Sequence, residues 1–280
     1  MKIGVITNSK KDYDFRCFND TIDFLAGKCE VYTDISCAGN VQNKASVIFL
    51  ETEELYNTVG YLVLIGGDGT FLRVADAVSK KKIKVLGINL GKVGYITEIE
   101  TNQLDLLDRI ITGDFKVENR MMITADVIRQ GEKVKTFNVL NDIVIAHGLI
   151  SRMINLDLFY GGKHITNYRA DGVIISTPTG STAYSLSAGG PIIDPKLETI
   201  TVTPICSHST SSRPIIFGTD YEISVKITEG DAVVFLTADG YENFKLLPND
   251  EVLIKKSVNN VSLIRFTDDS FYRTFKNKLN

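Results

Sequence analysis

The sequence predicts an α/β N-terminal domain with a mostly parallel sheet, followed by a β-rich C-terminal domain. Three observations carry this. Over residues 1–115, short apolar runs of strand length alternate with apolar positions at helical spacing, the pattern of a layered α/β domain. From residue 116 onward the helical spacing gives way to long strand-like stretches joined by glycine-bearing turns. In the first half, one apolar run passes into a helical stretch through the turn Gly66-Gly67-Asp68-Gly69-Thr70.

The elements follow in order. Lys2 to Asn8 is an apolar run of strand length. Phe18, Ile22, Leu25 and Ala26 mark one face of a helix, and Gly27 stands where a left-handed residue ends it. Tyr61 to Ile65 is continuously apolar, as a parallel strand buried on both faces must be. Helical spacing resumes at Phe71, Val74, Ala75 and Val78, and Lys84 to Asn89 is the next strand. Leu104, Leu107, Ile110 and Ile111 predict a further helix, with Thr101 as its N-cap and Gly113 past its end. Beyond the boundary, Met122 to Arg129, Val134 to Ala146 and Met153 to Tyr160 read as strands. Arg129-Gln130-Gly131-Glu132 and Tyr160-Gly161-Gly162-Lys163 read as hairpin turns. Further strands are expected at Val202–Cys206, Ile223–Ile227, Ala232–Leu236 and Val252–Lys255.

Composition narrows the function. The 280 residues are 44% hydrophobic and 23% charged, which is enough apolar material for a sizeable core. With 31 basic against 34 acidic residues the net charge is −3, which argues against a nucleic-acid partner but leaves room for a local anion site. Cys17, Cys29, Cys37 and Cys206 form no C-x-x-C pair, and no histidine stands at metal-ligand spacing, so reduced and mostly buried thiols are expected. No apolar run approaches the length of a membrane span, and the N-terminal one is too short for a signal peptide. A cytoplasmic protein without a membrane partner is the expectation. His147, His164 and His208 suggest no catalytic triad.

The glycine turn points to phosphoryl chemistry. Glycines let the backbone approach phosphates, and the helix that follows offers free N–H groups and the positive end of its dipole. A carboxylate in such a place has a use if it holds a cation or takes a proton from an attacking hydroxyl. The alternative is a tight turn in which Asp68 or Thr70 caps the helix. No Walker A loop, G-x-G-x-x-G string or protein-kinase catalytic loop is present.

Other strings accompany the turn. Gly87 to Thr97 is a strand followed by a glycine loop. Asn141-Asp142 interrupts an apolar stretch, which reads either as a bulge or strand-end cap or as a pair reserved for a ligand. Tyr168 to Pro191 is an apolar strand opening into a loop dense in hydroxyls and glycines, with room for a flat ligand.

Gly66-Gly67-Asp68-Gly69-Thr70 resembles a signature shared by NAD kinases, diacylglycerol and sphingosine kinases and 6-phosphofructokinases. The strings at 87–97, 141–142 and 168–191 are similar to those of NAD kinases in particular, as are Ser211 to Ile215 and Phe271 to Leu279. Lys92, Val93, Tyr95 and Tyr241 depart from the residues common in that family. The resemblance implies transfer of the γ-phosphoryl of ATP to the 2′-hydroxyl of the adenosine ribose of NAD, giving NADP, with Asp68 as general base. It implies ligand contacts from Gly67, Gly69, Asn141, Asp142, Arg152, Arg169, Asp171, Thr182, Ala183, Tyr184, Ser185, Leu186 and Ser187. It further implies Mg²⁺ brought with ATP rather than held by protein side chains alone, and a homodimer or homotetramer. On this reading residues 1–115 form the α/β domain, 116–256 the NAD-binding domain, and 257–280 return to the first domain. A lipid or sugar kinase, or a non-catalytic dinucleotide sensor, are the competing readings. The hydroxyl-rich loop opposes the first and Asp68 the second.

Overall fold

The computed structural model describes residues 1–91, 94–148, 153–228, 233–267 and 270–279, so the expectations for Arg152, Lys92 and Val93 lie outside the described residues. The chain divides into two compact units, residues 1–119 with 261–280 and residues 120–260.

The first unit opens with β1 (Lys2–Thr7), α1 (Arg16–Leu25), β2 (Glu30–Asp34), β3 (Val47–Leu50) and α2 (Thr52–Thr58). It continues through β4 (Tyr61–Gly66), α3 (Asp68–Lys80), β5 (Lys84–Asn89), β6 (Ile99–Glu100) and α4 (Asp108–Thr112) into β7 (Lys116–Arg129). The order β5-β4-β1-β2-β3 is parallel throughout. Ile3 and Val5 of β1, Val63 and Ile65 of β4, and Leu86 and Ile88 of β5 share a core with Phe18, Ile22 and Leu25 of α1. Burial of both sheet faces explains why β4 reads as an unbroken apolar run. Gly27 lies past α1 at φ +76, as its place in the sequence requires. The expected helix at 104–111 is a 3₁₀ turn, Leu104–Leu107, leading into α4, with Gly113 at φ +77 behind it. Thr101 does not cap it. The Gln103 N–H bonds the Glu100 carbonyl, so residues 100–103 form a turn of their own and the helical chain starts later.

The second unit holds β8 (Glu132–Val139), β9 (Asp142–His147), β10 (Ile154–Tyr160), β11 (Lys163–Ala170) and β12 (Gly172–Ser176). After the single turn α5 (Tyr184–Ser187) come β13 (Ile200–Ile205), β14 (Ile215–Phe217), β15 (Ile223–Ile227), β16 (Val234–Ala238), β17 (Glu242–Leu246) and β18 (Glu251–Arg265). α6 (Ser270–Leu279) ends the chain in the first unit, where Ser262 and Leu263 of β18 pair in parallel with Lys84 and Val85 of β5. Six strands form an antiparallel sheet in the order β14-β13-β12-β9-β16-β17. Its inward residues Ile143, Ile145, Val173, Ile175, Val202 and Leu236 meet Leu156, Leu158, Val225, Ile227 and Ile254 from β10, β15 and β18 in one core.

Both predicted hairpin turns have two successive positive φ angles, Gln130 and Gly131 at 52° and 82° and Gly161 and Gly162 at 56° and 75°, as two-residue hairpins of the favoured hand require. The single stretch expected over Val134–Ala146 is two strands, broken at Leu140 and Asn141. All four cysteines are free, but only Cys17 is buried; Cys29 and Cys37 are half-buried and Cys206 is exposed, so the expectation of mostly buried thiols is not met. Among the described residues no helix is long and apolar enough to cross a membrane.

Candidate active site

The glycine turn is built by close contact. β4 ends at Gly66, Gly67 is extended, and α3 begins at Asp68. A Cβ on Gly66 would lie 2.4 Å from Thr70 Oγ1, so only glycine lets the chain fold back on itself there. Thr70 donates its N–H to the Gly67 carbonyl at 2.8 Å, and its hydroxyl accepts from Asn8 Nδ2 at 2.8 Å. Its hydroxyl also accepts the Gly67 N–H at 3.4 Å, so capping falls to Thr70. Lys11 Nζ stands 2.9 Å from where a Gly67 Cβ would be, which places a cation over the turn. Gly69 is exposed, with open space around it.

Asp68 does not cap its own helix. Its Oδ2 accepts the Tyr95 N–H at 2.9 Å and its Oδ1 the Ile96 N–H at 3.2 Å. A Cβ on Gly94 would lie 2.1 Å from Asp68 Oδ1. The fold thus brings the glycine turn and the 87–97 string together on one carboxylate. That carboxylate is half-buried and anchored on two backbone donors.

In the second unit, β12 feeds the hydroxyl-rich loop. Thr177 donates its hydroxyl to the Leu140 carbonyl at 2.5 Å and its N–H to the Asn141 carbonyl at 2.9 Å. Gly180 presses against Asn141, where a Cβ would sit 2.1 Å from the carbonyl oxygen. Ser181 bonds Pro178 and Ile193, and Ser185 lies 3.0 Å from Thr203 Oγ1. These buried hydroxyls hold the loop. Tyr184, Leu186 and Ser187 are exposed and Thr182 and Ala183 half-buried, so the accessible part of the string is its second half. Arg120, only 1% exposed, reaches Thr179 Oγ1 at 3.3 Å; nothing in its strand-like surroundings marks it in the sequence.

Asn141 and Asp142 sit at the start of β9, held from a distance. The Asp239 carboxylate accepts the N–H groups of Leu140, Asn141 and Asp142 at 2.9, 2.7 and 3.1 Å. Asp239 and Gly240 have φ of 47° and 73° and turn the β16–β17 hairpin. The local sequence signal for this turn is an Asp-Gly pair between two strands. With its backbone fixed, Asn141 keeps a buried side-chain oxygen that has no hydrogen-bond partner among the described residues. A buried acceptor left so is a group waiting for a donor. Arg169 is exposed on β11, and Asp171 Oδ1 lies 3.4 Å from His147 Nε2.

Burial, then the charge of Asp239, pushes the Asp142 carboxyl up to about 7. Burial pushes Asp239 up to about 6, and its three N–H bonds oppose that rise. Those bonds favour the ionised form on Asp239, so of the two carboxyls it is Asp142 that keeps a proton. The folded chain therefore keeps a proton that the unfolded chain has lost above pH 3.8, and this pair's contribution to stability falls as pH rises from about 4 to about 7. Asp142→Asn is expected to flatten the dependence of Tm on pH across that window and to melt above the parent at pH 8. A lower Tm at pH 8 would contradict it.

Two families match the chain: the ATP-NAD kinase N-terminal domain over residues 27–115 and the ATP-NAD kinase C-terminal domain over residues 140–266. An NAD kinase of Magnetococcus marinus is 37% identical over 99% of this chain and 92% of its own. One from Citrifermentans bemidjiense is 42% identical over 82% of this chain and 80% of its own. Among solved structures, yeast NADH kinase complexed with NADH superposes with a TM-score of 0.90 at 27% identity, covering 100% of this chain and 87% of that one. An Archaeoglobus fulgidus NAD kinase in complex with ATP gives 0.75 at 25% identity, covering 99% and 98%.

Proposed function

The chain belongs to the ATP-NAD kinase family and phosphorylates NAD at the expense of ATP; from that premise we propose that the acceptor is the 2′-hydroxyl of the adenosine ribose and that Asp68 is the general base. The observation that carries the reading is the Asp68 carboxylate, anchored at the head of α3 beside a turn of glycines. A ribose hydroxyl is a poor nucleophile until its proton has somewhere to go. Asp68 takes that proton as the oxygen attacks the γ-phosphorus. The bond from the γ-phosphorus to the β–γ bridging oxygen breaks, and ADP leaves with the electron pair.

Gly67 and Gly69 let phosphate oxygens approach the backbone at the positive end of α3. Among the described residues no group of three or more His, Cys, Asp or Glu could hold a metal ion, and in this reading Mg²⁺ arrives as part of the substrate, on the phosphates of ATP. The buried side-chain oxygen of Asn141 accepts from the amino group of the adenine, and Asp142 meets ribose hydroxyls. Asp171 and residues Thr182 to Ser187 line the dinucleotide, with Tyr184 lying against it. Action in the cytoplasm as a homodimer or homotetramer belongs to the same reading. Phosphorus NMR of the product formed from NAD, ATP and Mg²⁺, read beside an NADP-specific dehydrogenase, tests it. A 3′-phosphate or a phosphate on the nicotinamide ribose would overturn the acceptor assignment.

The product carries one phosphate more than the substrate, and a site that releases NADP must meet that charge. Exposed Arg169, two residues before Asp171, presents a planar fork that matches phosphate oxygens. Arg169→Ala is expected to weaken NADP by about 1–3 kcal/mol and NAD by clearly less. Calorimetric titration of both ligands decides it, and equal losses would reduce Arg169 to a general contact.

A further inference from the structure

β18 ends inside the first unit with a charged residue where an apolar one would be expected. Arg265 follows the core residue Ile264 and is itself only 2% exposed. Its guanidinium donates from Nη1 to the carbonyls of Ile96 at 3.0 Å and Thr97 at 3.4 Å, and from Nη2 to that of Tyr95 at 3.3 Å. Nη1 also meets Glu98 Oε2 at 3.0 Å, and Nε meets Glu118 Oε1 at 3.3 Å. The second oxygen of Glu98 accepts the Phe266 N–H at 2.8 Å, tying the same segment to the residue after Arg265.

One peptide plane joins this cluster to Asp68. The Tyr95 carbonyl and the Ile96 N–H belong to the same rigid unit and point in opposite directions across it. The carbonyl end is on Arg265 and the N–H end is on Asp68 Oδ1. The orientation of that plane, and with it one of the two bonds that hold the carboxylate, follows from where the guanidinium fixes the carbonyl. A cation on the carbonyl also polarises the N–H at the far side. An arginine buried with two carboxylates is a poor device for stability alone, because well-packed apolar residues do as well or better. Three of its contacts go instead to consecutive carbonyls of the segment that carries the two donors to Asp68.

We infer that Arg265 is a positioning residue for Asp68, acting through the Tyr95–Ile96 peptide. The inference rests on the reading of Asp68 as general base. Lysine in its place keeps the charge but cannot fan planar donors onto three carbonyls.

The test is a cycle of four proteins: the parent, Arg265→Lys, Asp68→Asn and the double variant, each measured for kcat, for KM with NAD and ATP, and for Tm. Arg265→Lys is expected to lower kcat by about 10–100-fold, the scale of a base displaced by up to 1 Å, with both KM values within about twofold. In the Asp68→Asn background the same change is expected to have no further effect on kcat. An equal loss in both backgrounds, or no loss in the parent, would overturn the role of Arg265 while leaving the base assignment intact. A near-parental kcat for Asp68→Asn would instead remove the base assignment, and this inference with it. If Arg265→Lys melts well below the parent, Glu98→Gln disturbs the same guanidinium through a neutral isostere. Unchanged or additive kcat in that second cycle overturns the inference equally.

Discussion

Asp68→Asn is expected to lower turnover by roughly 10²–10⁴-fold while leaving the affinities for NAD and ATP far less changed. The amide has the shape of the carboxylate but no basicity, so the attacking hydroxyl has nowhere to send its proton. Asparagine can also satisfy only one of the two anchors with its oxygen, because its amide nitrogen is a donor facing the N–H of Tyr95 or Ile96. The variant therefore loses both the chemistry and part of the geometry. Rapid-quench measurement of product formed in a single turnover separates the two from slow release. A variant that folds, binds both substrates and turns over at near-parental rate would show that Asp68 is not the base.

Gly180→Ala is expected to act through packing rather than chemistry. The new Cβ would sit 2.1 Å from the Asn141 carbonyl oxygen, 2.5 Å from its carbon and 2.8 Å from its Cα. All three atoms are backbone, so no side chain can swing aside. Either the 177–182 loop or the Leu140–Asp142 segment must move, at about 1–3 kcal/mol of stability, the usual range for an overpacked core. Because Asn141 is itself displaced, NAD affinity is expected to fall by about tenfold, or about 1.4 kcal/mol. Gly39→Ala serves as the control, since a Cβ there meets nothing within 4 Å. Thermal melts and NAD titrations of the two variants side by side read both effects, and parental values for Gly180→Ala would show that the contact yields easily.

The alternation that signals an α/β layer was legible because β1, β4 and β5 are buried on both faces and leave unbroken apolar runs. β2, with Glu30 at one end and Thr33-Asp34 at the other, and β3, only four residues long, passed unread. The helix at 104–112 showed its apolar spacing but not its broken start, which depends on the Glu100–Gln103 turn. In the β-rich half the hairpin turns were readable from glycine, and the polar pair Asn141-Asp142 marked an interruption, but what breaks the strand at Leu140–Asn141 was not readable. Its cause, the Asp239 carboxylate, lies 97 to 99 residues away along the chain. β18 showed only its most apolar stretch, because beyond Lys255 it mixes polar residues with Val258, which is 98% exposed. Asp68 stood out because a carboxylate between glycines is chemically pointed, but the donors that hold it come 27 and 28 residues later. The Arg265 guanidinium comes from 169 residues beyond Ile96, and no local pattern could announce it.

The first unit is assembled from residues 1–119 and 261–280, with the whole of the second unit made in between. Domains usually complete themselves in the order of synthesis, the N-terminal one first. Here the order is reversed. The second unit is a continuous stretch and has every residue it needs once residue 260 has been added. The first must wait, with its parallel sheet still lacking the pairing of Ser262 and Leu263 to β5 and its core still lacking Ile264. A ribosome that stalls after residue 260 leaves the later-made unit whole and the earlier-made one unfinished. The carboxylate at position 68 is synthesised well before the arginine placed behind it.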